Sequence, residues 1–353
     1  MGFGKSSAFA RLELCLHTAK SKRYAYARPS GSAVENRVAG NDRIVTSGSL
    51  TIGSEDVAPV RPEDPRGSRL AARSKRLLHA VRSDRQLAIP VGVLLAIVLF
   101  ALFVPILWSQ SPTSQDLINS LQAPSGAHPM GTDQLGRDVL ARVAAGARIS
   151  LVVASLVTLG GALIGGMIGL FAGTIGGPGD GIAMRVMDTI LAFPPLILAM
   201  AVTVGLGVGL STAALGIALV SVPWYARLLR AEALRIRSLP FIEAAHAMGS
   251  TRGRIISRHV IPHVLPVLFI QMAAAFGFAV LTLAGLSFIG LGAQVPSPEW
   301  GAMITEGLQY SLTGEWWIAI FPGVALLVVV TAASMLSDRM RDLLDPRGQY
   351  ARL

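Results

Sequence analysis

Few side chains in this 353-residue chain stand at spacings that chemistry uses. His259 and His263 are four apart, so on a helix they would share a face, as paired imidazole ligands do. Pro262 lies between them and disturbs that helix, and no third ligand stands nearby, so no metal site is assigned. Gly4-Lys5-Ser6 ends like a phosphate-cradling loop, but no earlier glycine has the required spacing and no strand precedes it. The same N-terminus fits a myristoylation pattern, which needs a eukaryotic context that nothing else supports. Cys15 is the single cysteine, so it has no intramolecular disulfide partner. No acidic residue falls in the middle of an apolar run, which argues against a proton-coupled transporter. No catalytic residue is assigned, and the chain is read as a non-enzyme.

The residues with the clearest pattern could build a docking element. They run from Glu243 through Ala244, Ala245, His246, Ala247 and Met248 to Gly249, and resume at His259-Val260-Ile261-Pro262. Pro240 suits the first turn of a helix, where its missing N–H does no harm. Glu243 lies near that helix's positive end. The alanines favour helix and carry little bulk, so another protein surface can come close. Gly249 suits the left-handed residue that stops the helix, and Ser250 or Thr251 suits the cap of a second one. Arg252, Arg254 and Arg258 make that second piece basic, and Pro262 is expected to end it. The product is two short helices with a sharp bend, over about residues 238–263, shaped to dock into a cleft.

Such a knob needs elements to hold it, and the composition says what they are. The chain is 52% hydrophobic and 15% charged, against about 25% charged in soluble domains. Charge-free runs predict six transmembrane helices at about 87–108, 150–175, 190–205, 211–229, 265–290 and 316–337. Each has roughly the 20 residues that cross a hydrocarbon core of about 30 Å. The uncharged stretch 189–226 is too long for one crossing, and Gly205-Leu206-Gly207-Val208-Gly209 divides it. The fold class is therefore an all-α integral membrane protein, with the knob between spans four and five.

Orientation follows from the basic residues. With the N-terminus inside, 28 of the 31 Lys and Arg are inside, and only Arg137, Arg142 and Arg148 are outside. Both termini are expected in the cytoplasm. The net charge of +10 thus reports topology, not nucleic-acid binding. Trp108, Trp300, Trp316 and Trp317 fall at predicted outer ends, where an aromatic belt is expected. Residues 1–65 are polar and read as a disordered cytoplasmic tail, 66–85 as a basic amphipathic interfacial helix, and 86–353 as the membrane domain. Gly161, Gly165, Gly169, Gly173 and Gly177 recur every four residues along span two. This smooth stripe fits either a moving or subunit-contacting helix, or close packing within the chain.

The knob resembles the EAA loop of ABC-importer permeases, carried by Glu243, Ala244, Ala245, Gly249, Ile255, His259 and Pro262. Further stretches narrow the resemblance to the C-type subunit of dipeptide, oligopeptide and nickel importers. They are His128-Pro129-Met130-Gly131-Thr132-Asp133-Gln134-Leu135-Gly136-Arg137-Asp138, Leu191-Ala192-Phe193-Pro194, Ser287 to Gly292, Pro298-Glu299-Trp300-Gly301 and Asp342 to Arg347. The resemblance covers roughly residues 70–350. It implies a type I ABC-importer-like permease fold in a bacterial inner membrane, forming half of a pathway for di- and oligopeptides. Nickel and oligosaccharides are the alternative substrates, and an ion-coupled secondary transporter is the more distant one. It implies a second homologous permease subunit, two P-loop ATPase subunits or one of each of two types, and an extracytoplasmic binding protein. ATP and Mg would be held by the ATPase, with no cofactor on this chain. Glu299, Trp300 and Gly301 would serve an external gate or a binding-protein contact.

Overall fold

The computed structural model describes residues 85–344, and every assigned element among them is helical. The tail at 1–65 and nearly all of the expected interfacial helix at 66–85 lie outside the described residues. Helix α1 spans Arg85–Leu107, α2 Val139–Ile175, α3 Pro178–Leu191, α4 Pro195–Leu206 and α5 Leu210–Arg237. Helices α6 (Pro240–Ala247) and α7 (Arg252–Ile255) form the knob. A π turn at Ile256–Val260 leads into α8 (Ile261–Phe288), followed by α9 (Trp300–Leu308) and α10 (Trp317–Leu344). Five helical runs among the described residues are long and apolar enough to cross a membrane, and the bent pair α3–α4 makes a sixth when its two halves are counted as one span.

Helix α2 starts at Val139, well before the expected start at residue 150. Its 37 residues measure about 55 Å, more than a bilayer core requires. Arg142 and Arg148 hid this start, because charges normally end an apolar run. Both find acceptors in the fold. Arg142 is paired, as described below. Arg148 donates from Nε to the Ala101 carbonyl at 2.6 Å and from Nη2 to the Leu102 carbonyl at 3.0 Å. Pro105 lies four residues after Ala101 and has no N–H to offer that carbonyl. The arginine thus supplies the donor that the proline withholds.

The third passage also differs from expectation. Pro194 and Pro195 break it, and α3 and α4 meet at 92°. Helix α4 has only 12 residues, about 18 Å, so it covers part of a bilayer core. Helix α3 carries Asp180, Arg185 and Asp188 and runs nearly perpendicular to α4. Arg230 of α5 holds α3 through both oxygens of Asp180, at 2.6 and 2.7 Å. Asp188 is solvent-exposed and faces Arg227 at 3.7 Å.

The glycine stripe is used inside the chain. A Cβ on Gly165 or Gly169 would collide with the carbonyl oxygens of Val222 and Ala226 on α5. Gly161 meets Ser221 and Tyr225, and Gly173 meets Ala233 and Arg230. Helices α2 and α5 therefore touch backbone to backbone, which supports packing within the chain over a contact between subunits. Gly177 has nothing within 4 Å and takes no part.

Candidate functional site

The knob forms as its local signals direct. Pro240 occupies the first turn of α6, behind an extended Leu239. Gly249 adopts φ +77°, the left-handed conformation that ends the helix. Ser250 N–H donates to the Ala245 carbonyl at 3.0 Å and Gly249 N–H to the His246 carbonyl at 2.9 Å. These two bonds complete a Schellman cap. Thr251 stands at the N-cap of α7, though its side chain makes no capping bond.

Pro262 does not end the second piece. The chain widens into a π turn, and Ile261 N–H donates back to the Ile256 carbonyl. This adjustment absorbs the proline, so the path from Arg252 to Phe288 stays helical. The second half of the knob and the fifth crossing thereby form one continuous helical path.

Six of the seven expected coupling residues divide into a buried and an exposed set, with His259 between them. Ala245 and Ile255, each 4% exposed, join Ile242, Val260 and Val264 in a small core against Leu229, Ala233 and Ile236 of α5. They anchor the knob to the membrane helices. Glu243, Ala244, Gly249 and Pro262 are exposed and present the outer surface. His259 is half-buried, its ring 6.0 Å from that of Phe241. His263 stacks on Phe241 at 5.5 Å and places Nδ1 2.6 Å from the His259 carbonyl oxygen. The histidines thus brace the knob's base. Sequence reasoning missed Met248, which is 80% exposed beside the turn. Its signal was a long apolar side chain directly before the stop glycine.

On the opposite side, Glu299, Trp300 and Gly301 are buried within this chain. Glu299 caps α9, its carboxylate accepting from Ala302 N–H at 3.1 Å and Ser150 Oγ at 3.2 Å. Burial pushes its carboxyl above the usual range, opposed by bonds from Gly301, Ser287, Ala302 and Ser150. Trp300 donates from Nε1 to the Val143 carbonyl of α2 at 3.0 Å. A Cβ on Gly301 would strike the Ala284 carbonyl of α8. The three residues therefore pin α9 between crossings and turn no side chain outward. Trp317 is likewise buried, bonded to the Thr132 carbonyl at 3.0 Å, so neither it nor Trp300 belongs to an aromatic belt. Trp316 is 49% exposed.

The segment 128–138 also closes onto α9. Arg137 and Arg142 are 0% and 1% exposed, and both bind Asp133 Oδ2 at 2.6 Å. Both also reach Glu306 Oε2, at 2.8 and 2.9 Å. Two cations face two anions, so the buried cluster is neutral. His128 Nδ1 lies 2.8 Å from Asp138 Oδ2, and Asp138 Oδ1 accepts from Ala141 N–H to cap α2. The sequence gave no hint of the Glu306 contact. Among the described residues, no group of three His, Cys, Asp or Glu is placed to hold a metal.

This geometry defines a multi-spanning helical membrane protein with a braced, partly exposed two-helix knob. Residues 165–349 match the family model of the binding-protein-dependent transport system inner membrane component. The chain is 37% identical over 295 residues to the probable D,D-dipeptide transport system permease protein of Escherichia coli (strain K12), covering 84% of this chain and 97% of that protein. It is 40% identical over 255 residues to the dipeptide transport system permease protein of Alkalihalophilus pseudofirmus, covering 72% and 84%. It is 38% identical over 257 residues to the glutathione transport system permease protein of Pectobacterium atrosepticum, covering 73% and 84%. The chain belongs to this family of binding-protein-dependent permeases. It is a non-enzymatic, multi-pass inner-membrane subunit of an ABC importer, served by a separate ATPase and a substrate-binding protein.

Proposed function

We propose that this chain forms half of the translocation pathway for di- and oligopeptides and takes its driving force through the knob at 238–263. A second homologous permease subunit forms the other half. Two P-loop ATPase subunits, or one of each of two types, hold ATP and Mg and grip the exposed surface of Glu243, Ala244 and Gly249. Closure of the ATPase pushes the knob. Ala245 and Ile255 pass the push to α5, and the continuous helix through Pro262 passes it to α8. The crossings then move as rigid bodies between outward and inward access. Both termini lie in the cytoplasm, as the 28-to-3 distribution of basic residues supports. The extracytoplasmic binding protein delivers substrate on the far side. Its contact uses the surface that α9 presents, which buried Glu299, Trp300 and Gly301 hold in position.

The observation that carries this reading is the division of the knob into an exposed small-residue face and a buried apolar anchor. The peptide substrate is supported by relatives named for dipeptide and glutathione transport. Gly249→Pro, which cannot take a positive φ, and Glu243→Arg are expected to abolish uptake while leaving the protein in the membrane. Normal uptake by both variants would defeat the coupling role. Growth of a deletion strain on di- and oligopeptides, against growth at limiting nickel or on oligosaccharides, separates the substrates.

A further inference from the structure

A cavity of about 270 Å³ opens among α4, α5 and α8, lined by Pro195, Ser221, Trp224, Tyr225, Gln271 and Phe278, with Val220 and two alanines between them. Gln271 stands ten residues into α8, about 15 Å along the helix from Ile261. Its side chain makes no hydrogen bond among the described residues. Buried Tyr225 likewise has a hydroxyl without a partner. A polar group at membrane depth, facing hydrocarbon, is costly, and such groups face water-filled cavities or other polar groups. This face thus suits a polar or water-filled neighbour better than lipid.

Nor is it built as a helix–helix seam. Seams in membranes use small residues that let backbones meet, as α2 and α5 do here. The cavity is rimmed by Trp224 and Phe278, which are 57% and 51% exposed around a hollow. The lining carries no charge, no imidazole and no thiol, so it offers nothing that holds a bare metal cation. An amide that both donates and accepts, sharing one cavity with two aromatic side chains, fits a peptide unit and an adjoining apolar side chain.

We infer that this cavity is a transmembrane station for the transported peptide, with Gln271 bonding its backbone and Trp224 and Phe278 receiving a side chain. The inference rests on the peptide reading above and assigns residues to it.

The test uses the complete transporter in proteoliposomes with its binding protein, ATP and tritiated tri-alanine. Uptake per ATP hydrolysed is expected to fall about tenfold for Gln271→Leu, the effect of one hydrogen bond lost in a low-dielectric site. Gln271→Asn is expected to retain more uptake, and Trp224→Ala to lose it. Phe269→Ala, exposed on the same helix away from the cavity, is expected to transport normally. Wild-type rates in both Gln271→Leu and Trp224→Ala would overturn the station. A second measurement covers variants that fail to assemble. With Cys15→Ser as background, Gln271→Cys carrying a benzophenone is expected to photolabel tri-alanine during turnover. Labelling of the second permease subunit or of lipid alone would overturn the proposal. A wild-type complex that imports no tri-alanine defeats the peptide reading itself, before any variant is compared.

Discussion

Arg137 and Arg142 are buried cations that depend on two carboxylates, and one of these is supplied from far along the chain. Removing one partner of such a group leaves an uncompensated charge, which costs about 3–5 kcal/mol. Glu306→Ala is therefore expected to lower the melting temperature of the purified complex sharply. An unchanged melting temperature would mean that the cluster does not hold α9. Glu299 makes a different prediction, through pH. Its folded carboxyl is shifted above the ordinary value of 4.5 by burial. The folded state thus keeps its proton to higher pH than the unfolded state does. Stability from this group is present below the unfolded value and falls as pH rises toward the folded one. Glu299→Gln, which keeps an acceptor for Ala302 N–H, is expected to gain stability relative to wild type as pH is raised from about 5 to about 8. A constant difference across that range would contradict the assignment.

At the scale of elements, the seam between α2 and α5 exists because glycines remove the side chains that would separate the backbones. Gly165→Leu and Gly169→Leu must displace α5, at a cost of at least about 1–3 kcal/mol. Gly160→Leu, one position off the stripe with nothing within 4 Å, is the control. The yield of monodisperse, detergent-solubilised protein should drop for the first two and hold for the third. Equal yields would place the stripe elsewhere than in the seam. The stripe was legible because its period is that of a helix, but the partner it meets was not. Local signals fared best: Pro240 and Gly249 bound α6 as their backbone preferences require. Features that depend on distant contacts were misread. Arg142 and Arg148 masked eleven residues of α2, because their partners Asp133, Glu306 and the α1 carbonyls are set by tertiary packing. Trp300 and Trp317 looked interfacial for the same reason, since only the fold reveals their carbonyl acceptors.

At the scale of the molecule, the six passages were legible from the apolar runs, and the broken third one was only partly so. The span expected at 190–205 ran through Pro194 and Pro195, where the chain turns by 92°, and Arg230 binds Asp180 on α3 beyond that turn. The result is a bundle whose knob and fifth crossing are joined through the π turn, while α5 meets the knob's buried core. In the proposed mechanism this knob receives force from a cytoplasmic ATPase. Met248 reports on it most directly, because its side chain is 80% exposed at the knob's turn. In intact importer with Cys15→Ser as background, Met248→Cys is expected to crosslink to the ATPase subunit and to resist a membrane-impermeant maleimide added outside intact cells. Labelling from outside, with no crosslink to the ATPase, would contradict the account.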